Sequence, residues 1–331
     1  MKHICIWIFI LSIGLVPLAS SQQTANSSSA DDISTMSSRQ ALAPNSWTSG
    51  TAMHRQVMAP AAAVLGSRIY VIGGALDWYG STVTDMLIYN PVSNTWAKGT
   101  PFPAPIYAAA AVVVNNVLYV FGGNSGSGML NTVWAYSPQT RTWSSRSPMP
   151  TARYGLDVVK KNGIVYAIGG QTDDWTRLNN VESYNPATDT WTEEAPLLQG
   201  KSQLTAGVVG GAIVAVDGYS SNGDLGDNEA YNAWAKAWVN LAADPTPRDG
   251  ACGGAIGTQL YVASGYKGNG GWGLPLTEVF TISNNTWATL ADAPQATIWA
   301  GSAVYDGRLY CFGGALSYQG STINNVQIYQ P

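Results

Sequence analysis

Charge is what this chain of 331 residues has least of: Asp, Glu, Lys and Arg together make up 11% of it. Sixteen basic residues face 20 acidic ones, a formal charge of −4. That balance offers no basic footprint for nucleic acid. It also excludes a charge-laced coiled coil. Histidine is scarcer still, at two residues, of which only His54 lies outside the leading apolar segment. No Cys/His metal spacing, Ser-His-Asp order, phosphate loop or partnered pair of carboxylates occurs. The acidic turn Asn222-Gly223-Asp224-Leu225-Gly226-Asp227-Asn228 fits no calcium loop. Neither a cofactor nor a metal is therefore expected.

Long apolar runs are also missing, with one short exception. Lys2 and His3 precede a run from Ile4 to Leu18, interrupted at Pro17 and followed by Ala19-Ser20-Ser21. This has the form of a secretory signal peptide over 1–21, cleaved after Ser21. It is short for a membrane span, and no later stretch approaches that length. An exported chain without membrane insertion is the expectation, secreted or periplasmic. Residues 22–44 are rich in Ser, Gln and Ala without apolar periodicity and read as a flexible leader. The sequons at Asn26 and Asn284 matter only in a eukaryotic host.

Glycine (36), tyrosine (17) and tryptophan (13) are abundant, and they recur in register. The stretch from Leu118 to Trp143 holds an apolar run ending in Gly122-Gly123, a polar loop, Tyr136, and Trp143 seven residues later. The glycine pair returns as Gly73-Gly74, Gly169-Gly170, Asp217-Gly218, Ser264-Gly265 and Gly313-Gly314. The first aromatic returns as Tyr89, Tyr184, Tyr231, Phe280 and Tyr329, the tryptophan as Trp96, Trp191, Trp238 and Trp287. Successive copies lie 47 to 49 residues apart.

This pattern resembles kelch repeats, whose unit is a four-stranded propeller blade. The resemblance covers residues 45–331 and implies an all-β, six-bladed propeller. Trp47 sits 49 residues before Trp96, a last-strand position with no preceding strands, while the chain stops after the third-strand Tyr329. The two fragments complete one blade and so close the ring, removing two sheet edges. Each inner strand should be small and apolar, as in Ala108–Val114, and lead through a tight turn such as Asn162-Gly163 into the glycine pair. The Tyr/Trp pairs belong to the core between blades. Glu182, Glu229 and Glu278 share one position, two residues before the aromatic, and suit a structural ion pair or hydrogen bond. Cys252 and Cys311 fall on strands of different blades, so two buried free thiols are expected, although export permits a disulfide.

The long connections all fall on one face, the expected binding face. Joining second to third strands are loops carrying Asp77, Trp78 and Tyr79; Trp175; Trp272; and Tyr318. A ring beside Asp, Asn or Gln suits a sugar, with the ring covering its apolar face and the polar groups bonding hydroxyls. Packing between neighbouring loops is the alternative. Entering the inner strands are Val57, Ile106, Arg153, Lys201, Arg248 and Thr297 at equivalent positions, with Tyr107, Tyr154, Asp249 and Trp299 one or two residues on. Arg153, Lys201 and Arg248 either converge on an anionic ligand or pair with the blade glutamates.

The resemblance also tests catalytic relatives. Copper radical oxidases of the galactose oxidase type need two histidines, and His54 alone cannot build that site. The Glu-x-x-x-Asp-x-x-x-His iron motif of plant specifier proteins is missing. Bacterial exported sialic acid mutarotases need only positioned acid/base and cationic groups, which Arg153, Arg248, Asp249 and Tyr154 could provide. A monomeric binding module for glycans or other small polar ligands is the leading expectation. A sugar-acid mutarotase or epimerase and a protein-interaction scaffold stand beside it.

Overall fold

The computed structural model describes residues 43–232, 234–268 and 271–331. The expected signal segment, and the leader up to residue 42, lie outside these. The described residues form an all-β propeller of six four-stranded antiparallel sheets. Blade 1 runs through Ala61–Leu65, Arg68–Ile72, Met86–Asn90 and Thr95–Lys98. Blades 2 to 5 repeat it, with inner strands Ala110–Val114, Asp157–Lys161, Thr205–Val209 and Cys252–Ile256. In blade 6, Gly301–Tyr305, Arg308–Phe312 and Val326–Gln330 take the amino-terminal Ser46–Gly50 as outermost strand. Trp47 stands opposite Tyr329 there, so the ring closes as the repeat phase requires.

The repeated aromatics explain the blade spacing. In each blade the third-strand aromatic packs against the fourth-strand tryptophan, from Tyr89–Trp96 at 4.8 Å to Tyr231–Trp238 at 5.6 Å between centroids. Each of those six indoles also donates its Nε1–H to a carbonyl of the chain leading in from the neighbouring blade. The acceptors are Thr51, Thr100, Ser147, Ala195, Ala242 and Ala291. One side chain thus buries apolar area and bonds the next blade.

Cys252 and Cys311 form a disulfide, where free thiols were expected. They do lie on different blades. However, the inner strand of blade 5 and the second strand of blade 6 (Arg308–Phe312) face each other across the blade interface, with Cα atoms 5.8 Å apart. Both cysteines belong to one buried cluster with Tyr261 and Tyr329. Sequence distance around a closed ring is a poor guide to distance between neighbouring blades.

A second closed ring lies at the axis. The residue two positions before each inner strand has a left-handed backbone: Ala59, Ala108, Gly155, Gln203, Gly250 and Trp299, with φ between 48° and 62°. Each of these donates its N–H to the carbonyl of the equivalent residue one blade earlier, at 2.6 to 2.9 Å, and Ala59 donates to Trp299 to complete the circle. This hydrogen-bonded girdle fixes the diameter of the axial opening.

Candidate functional site

Three successive residues of each blade build the top of the axis. The first points into the blade, the second into the open space above the girdle, and the third forms the girdle itself. Extended chain alternates its side chains, so neighbours in sequence part company.

The first residues include the three cations, and the structure corrects the expectation that they converge on a ligand. Arg153, Lys201 and Arg248 are each fully buried. Arg153 meets Glu182 at 2.5 Å and donates to the carbonyls of Gly169 and Asn180. Lys201 is held by Asp227 at 2.7 Å and Glu229 at 2.9 Å. Arg248 pairs with Glu278, and Asp244 lies 3.5 Å away. Every cation is matched inside its own blade, so none reaches the axial space. The blade glutamates serve the structural role that their register suggested.

The second residues do reach that space. With the loops above they enclose a cavity of about 470 Å³. Rings dominate its wall: Trp78, Tyr107, Tyr154, Trp175, Trp299 and Tyr318, all singled out in the sequence, together with Tyr219 and Tyr266. Asp77 and Asp249 also line it, as do Arg177, Gln171 and Gln203. Tyr79 and Trp272 do not; they stand outside at 97% and 69% exposure.

Trp299 is the most constrained of these rings. It holds φ at 56°, a conformation that large side chains rarely adopt. Such strain persists only where the surroundings enforce it. Its girdle bonds do so, and Gly250 makes room: a Cβ there would lie 1.8 Å from Trp299 Cδ1. The indole packs on Trp78 at 4.7 Å and donates from Nε1 to Asp249 Oδ1 at 3.1 Å.

Polar groups are spread around the rings. Burial pushes the Asp249 carboxyl up to about 8; the Trp299 indole opposes this, and the neighbouring Asp224 carboxyl adds to it. At neutral pH Asp249 is therefore largely protonated, a donor as well as an acceptor. Asp224 sits on a short hairpin pairing Tyr219–Ser220 with Gly223–Asp224 and accepts the Gly268 N–H at 2.7 Å. Arg177 lies over the Tyr219 ring, its guanidinium carbon 4.8 Å from the centroid, and donates to the Trp175 carbonyl. No carboxylate is within 4 Å of it among the described residues, and its Nε has no hydrogen-bond partner there. Gln171 donates to the Tyr154 hydroxyl at 2.5 Å and accepts from Ser202 at 3.0 Å. Asp77 accepts the N–H groups of Tyr79 and Ser81 and so shapes the loop that carries Trp78.

Arg177 lies in the same loop as Trp175, two residues further on, and had no signal of its own. Tyr219 and Asp224 had no repeat signal, because blade 4 departs from the glycine-pair pattern at Asp217; Gln203 stands in register with Trp299 but carries no ring. Below the girdle a second cavity of about 440 Å³ runs down the axis between the inner strands. Tyr107, Tyr154, Gln203 and Trp299 line both and form the neck between them.

Residues 22–218 match the family described as the KLHDC2/KLHL20/DRC7 Kelch-repeats domain. The chain belongs to the kelch-repeat family. Among curated protein sequences none matches. Among solved structures, that titled "Structure of YjhT" aligns with a TM-score of 0.72 over 83% of this kelch chain and 95% of that one. The sequences are 17% identical, so the likeness concerns the fold alone.

Proposed function

We propose that this kelch propeller is an exported binding module for a glycan or similar polar ligand, held in the aromatic cavity. The observation that carries the reading is that Trp78 and Trp299 line one cavity together with Arg177, Asp249 and Gln171. Ring faces cover the apolar side of a pyranose, while a donor-only guanidinium, a carboxyl and an amide together match hydroxyls that both donate and accept. A pocket with apolar walls and a few convergent polar groups is the usual form of a small-molecule site. Export fits the leading apolar segment and the buried disulfide, since disulfides persist in oxidising compartments.

Arg177 favours a second reading, a sugar acid as ligand or as the substrate of an epimerase. Among the described residues no carboxylate is within 4 Å of its charge, and Asp249 stands in the same cavity as a group able to give or take a proton near neutral pH. That activity would rest on Arg177 and Asp249, because Arg153 and Arg248 are enclosed.

A thermal-shift screen of the purified protein against neutral sugars, sugar acids and acidic peptides separates these readings. Ligand at a hundred times its Kd stabilises by about 2.7 kcal/mol. Shifts with neutral sugars that vanish in Trp78→Ala support the binding module. Shifts confined to sugar acids and lost in Arg177→Gln favour the second reading and call for an assay of anomer interconversion. Shifts with peptides alone would overturn both in favour of a protein-interaction scaffold.

A further inference from the structure

One position of the repeat is filled against its own rule. The first residue of the glycine pair is Gly73, Gly122, Gly169 and Gly313 in four blades, Ser264 in blade 5 and Asp217 in blade 4. In the four glycine blades a Cβ there would come within 2.3 to 2.6 Å of the carbonyl oxygen of the following blade's Ile106, Arg153, Lys201 or Val57. Asp217 carries a side chain at this crowded point, with φ at 61° and only 1% exposure. A left-handed backbone, a tight seat and a buried carboxyl each cost stability, and such strain clusters at functional and switch positions.

The side chain reaches Arg248 of blade 5, whose Nε lies 4.0 Å from Asp217 Oδ2. That guanidinium is already engaged. It donates to the carbonyls of Thr246, Ser264 and Leu276 and pairs with Glu278. Asp244, on the connection into blade 5, sets its own Oδ2 3.5 Å from the same Nε, while its Oδ1 accepts the Thr246 N–H at 2.8 Å. Among the described residues no N–H or hydroxyl donates to either oxygen of Asp217 or to Asp244 Oδ2. Burial pushes Asp217 well above the usual carboxylate range; the Asp244 carboxyl adds to this, and Arg248 and Lys201 oppose it. Burial also raises Asp244, against the pull of Arg248 and of a hydrogen bond from Asp217.

We propose that Asp217 and Asp244 share one proton across the seam between blades 4 and 5, and that this proton is a latch. Bound, it joins the two carboxyls; released in alkaline medium, it leaves two buried negative charges that loosen the seam. The other charges cannot take its place. Arg248 is matched by Glu278, Lys201 by Asp227 and Glu229, and Lys267 acts on Asp244, so an ionised Asp217 has no cation of its own. The seam also leads to the cavity. Gly218 N–H donates to Arg248 O across it at 2.8 Å, and the next residue on each side, Tyr219 and Asp249, lines the upper cavity. The sign follows from the raised carboxyl: its contribution is full below the unfolded value of 3.8 and is lost as pH rises through the folded one.

The test is hydrogen exchange, read by mass spectrometry on the parent and on Asp217→Asn at the same pH. Asn tolerates the left-handed backbone, and its amide can donate to Asp244 as the protonated acid does. Glu229, which burial also holds above its usual range, is present in both proteins, so its titration cancels. At pH 6 the two should exchange alike. At pH 9 peptides from 212–232 and 241–252 should exchange about tenfold faster in the parent, while those from 110–137 in blade 2 agree. Asp217→Gly, the residue of four other blades, should likewise open no further between pH 6 and pH 9 once intrinsic exchange rates are divided out. Equal exchange of parent and Asp217→Asn at both pH values would overturn the latch. So would faster exchange of the variant at pH 6, which would mean an ionised carboxyl held by Arg248. A parent looser by the same factor at both pH values would assign the effect to packing and overturn it too.

Discussion

Two layers of the propeller, one residue apart in sequence, divide the chemistry between them. The buried layer consists of Val57, Ile106, Arg153, Lys201, Arg248 and Thr297; the layer above it of Met58, Tyr107, Tyr154, Ser202, Asp249 and Ile298. In the buried layer the same slot is filled in different ways. Blade 1 sets Val57 and Leu87 in one apolar cluster, and blade 2 packs Ile106 with Trp134. Blades 3 to 5 use a cation with Glu182, Glu229 or Glu278. Whatever its chemistry, each pair fills a hole. The layer above keeps its side chains on the cavity wall, except Ser202, which is buried behind Gln171 and hydrogen-bonds it. Proximity to the axis therefore says less about function than which way a residue faces.

The sharpest way to break this comparison is to strand a charge. Glu182→Ala leaves the Arg153 guanidinium buried without its partner and should cost about 3–5 kcal/mol, read from urea denaturation midpoints. Arg153→Met combined with Glu182→Leu imitates the apolar blades at similar volume and should lie within about 1 kcal/mol of the parent, or above it. A double variant as unstable as the single one would show that the ion pair is more than a plug.

The disulfide offers the next largest effect. Cys252→Ala with Cys311→Ala should lose roughly 2–4 kcal/mol, and reductant should lower the Tm of the parent but not of the variant. The cavity layer should respond differently. Trp78→Ala should weaken ligand binding by about tenfold or more, measured by calorimetry, because it removes a central ring of the wall.

The last test is a pH slope, gradual where the others are single steps. Burial holds Asp157 up at about 7 and Asp249 at about 8, against 3.8 when unfolded. A carboxyl whose folded pKa is raised binds its proton more tightly in the native state. Its contribution is full below the unfolded pKa and is lost as pH rises through the window up to the folded value. Stability should therefore decline between about pH 4 and 8, by at most about 1.4 kcal/mol per pH unit for each group. Asp249→Asn should flatten the upper part of that decline in thermal melts. An unchanged slope would mean that Asp249 is solvated and ionised.

The fold was legible because its determinants are local and repeated. A glycine pair, a Tyr and a Trp in constant register define a blade, and the unmatched Trp47 and Tyr329 announce their own pairing. The site was half legible. Loop position and residue type located Trp78, Trp175, Tyr318 and Asp249 around one space. The repeat could not say that Arg153, Lys201 and Arg248 turn inward, since that depends on alternation within a single connection. Nor could it bring Cys252 to Cys311, which meet because two whole blades pack side by side. Arg177 and Tyr219 came together only when the irregular hairpin of blade 4 folded beside the loop of blade 3.

The most direct test of the division between the layers is one binding titration on three proteins. The sugar with the largest thermal shift is measured against the parent, Trp78→Ala, and the Arg153→Met/Glu182→Leu double variant. The parent and the double variant should bind alike, while Trp78→Ala loses about tenfold or more. Loss of binding in the double variant with retention in Trp78→Ala would place the ligand on the buried cations and contradict the account.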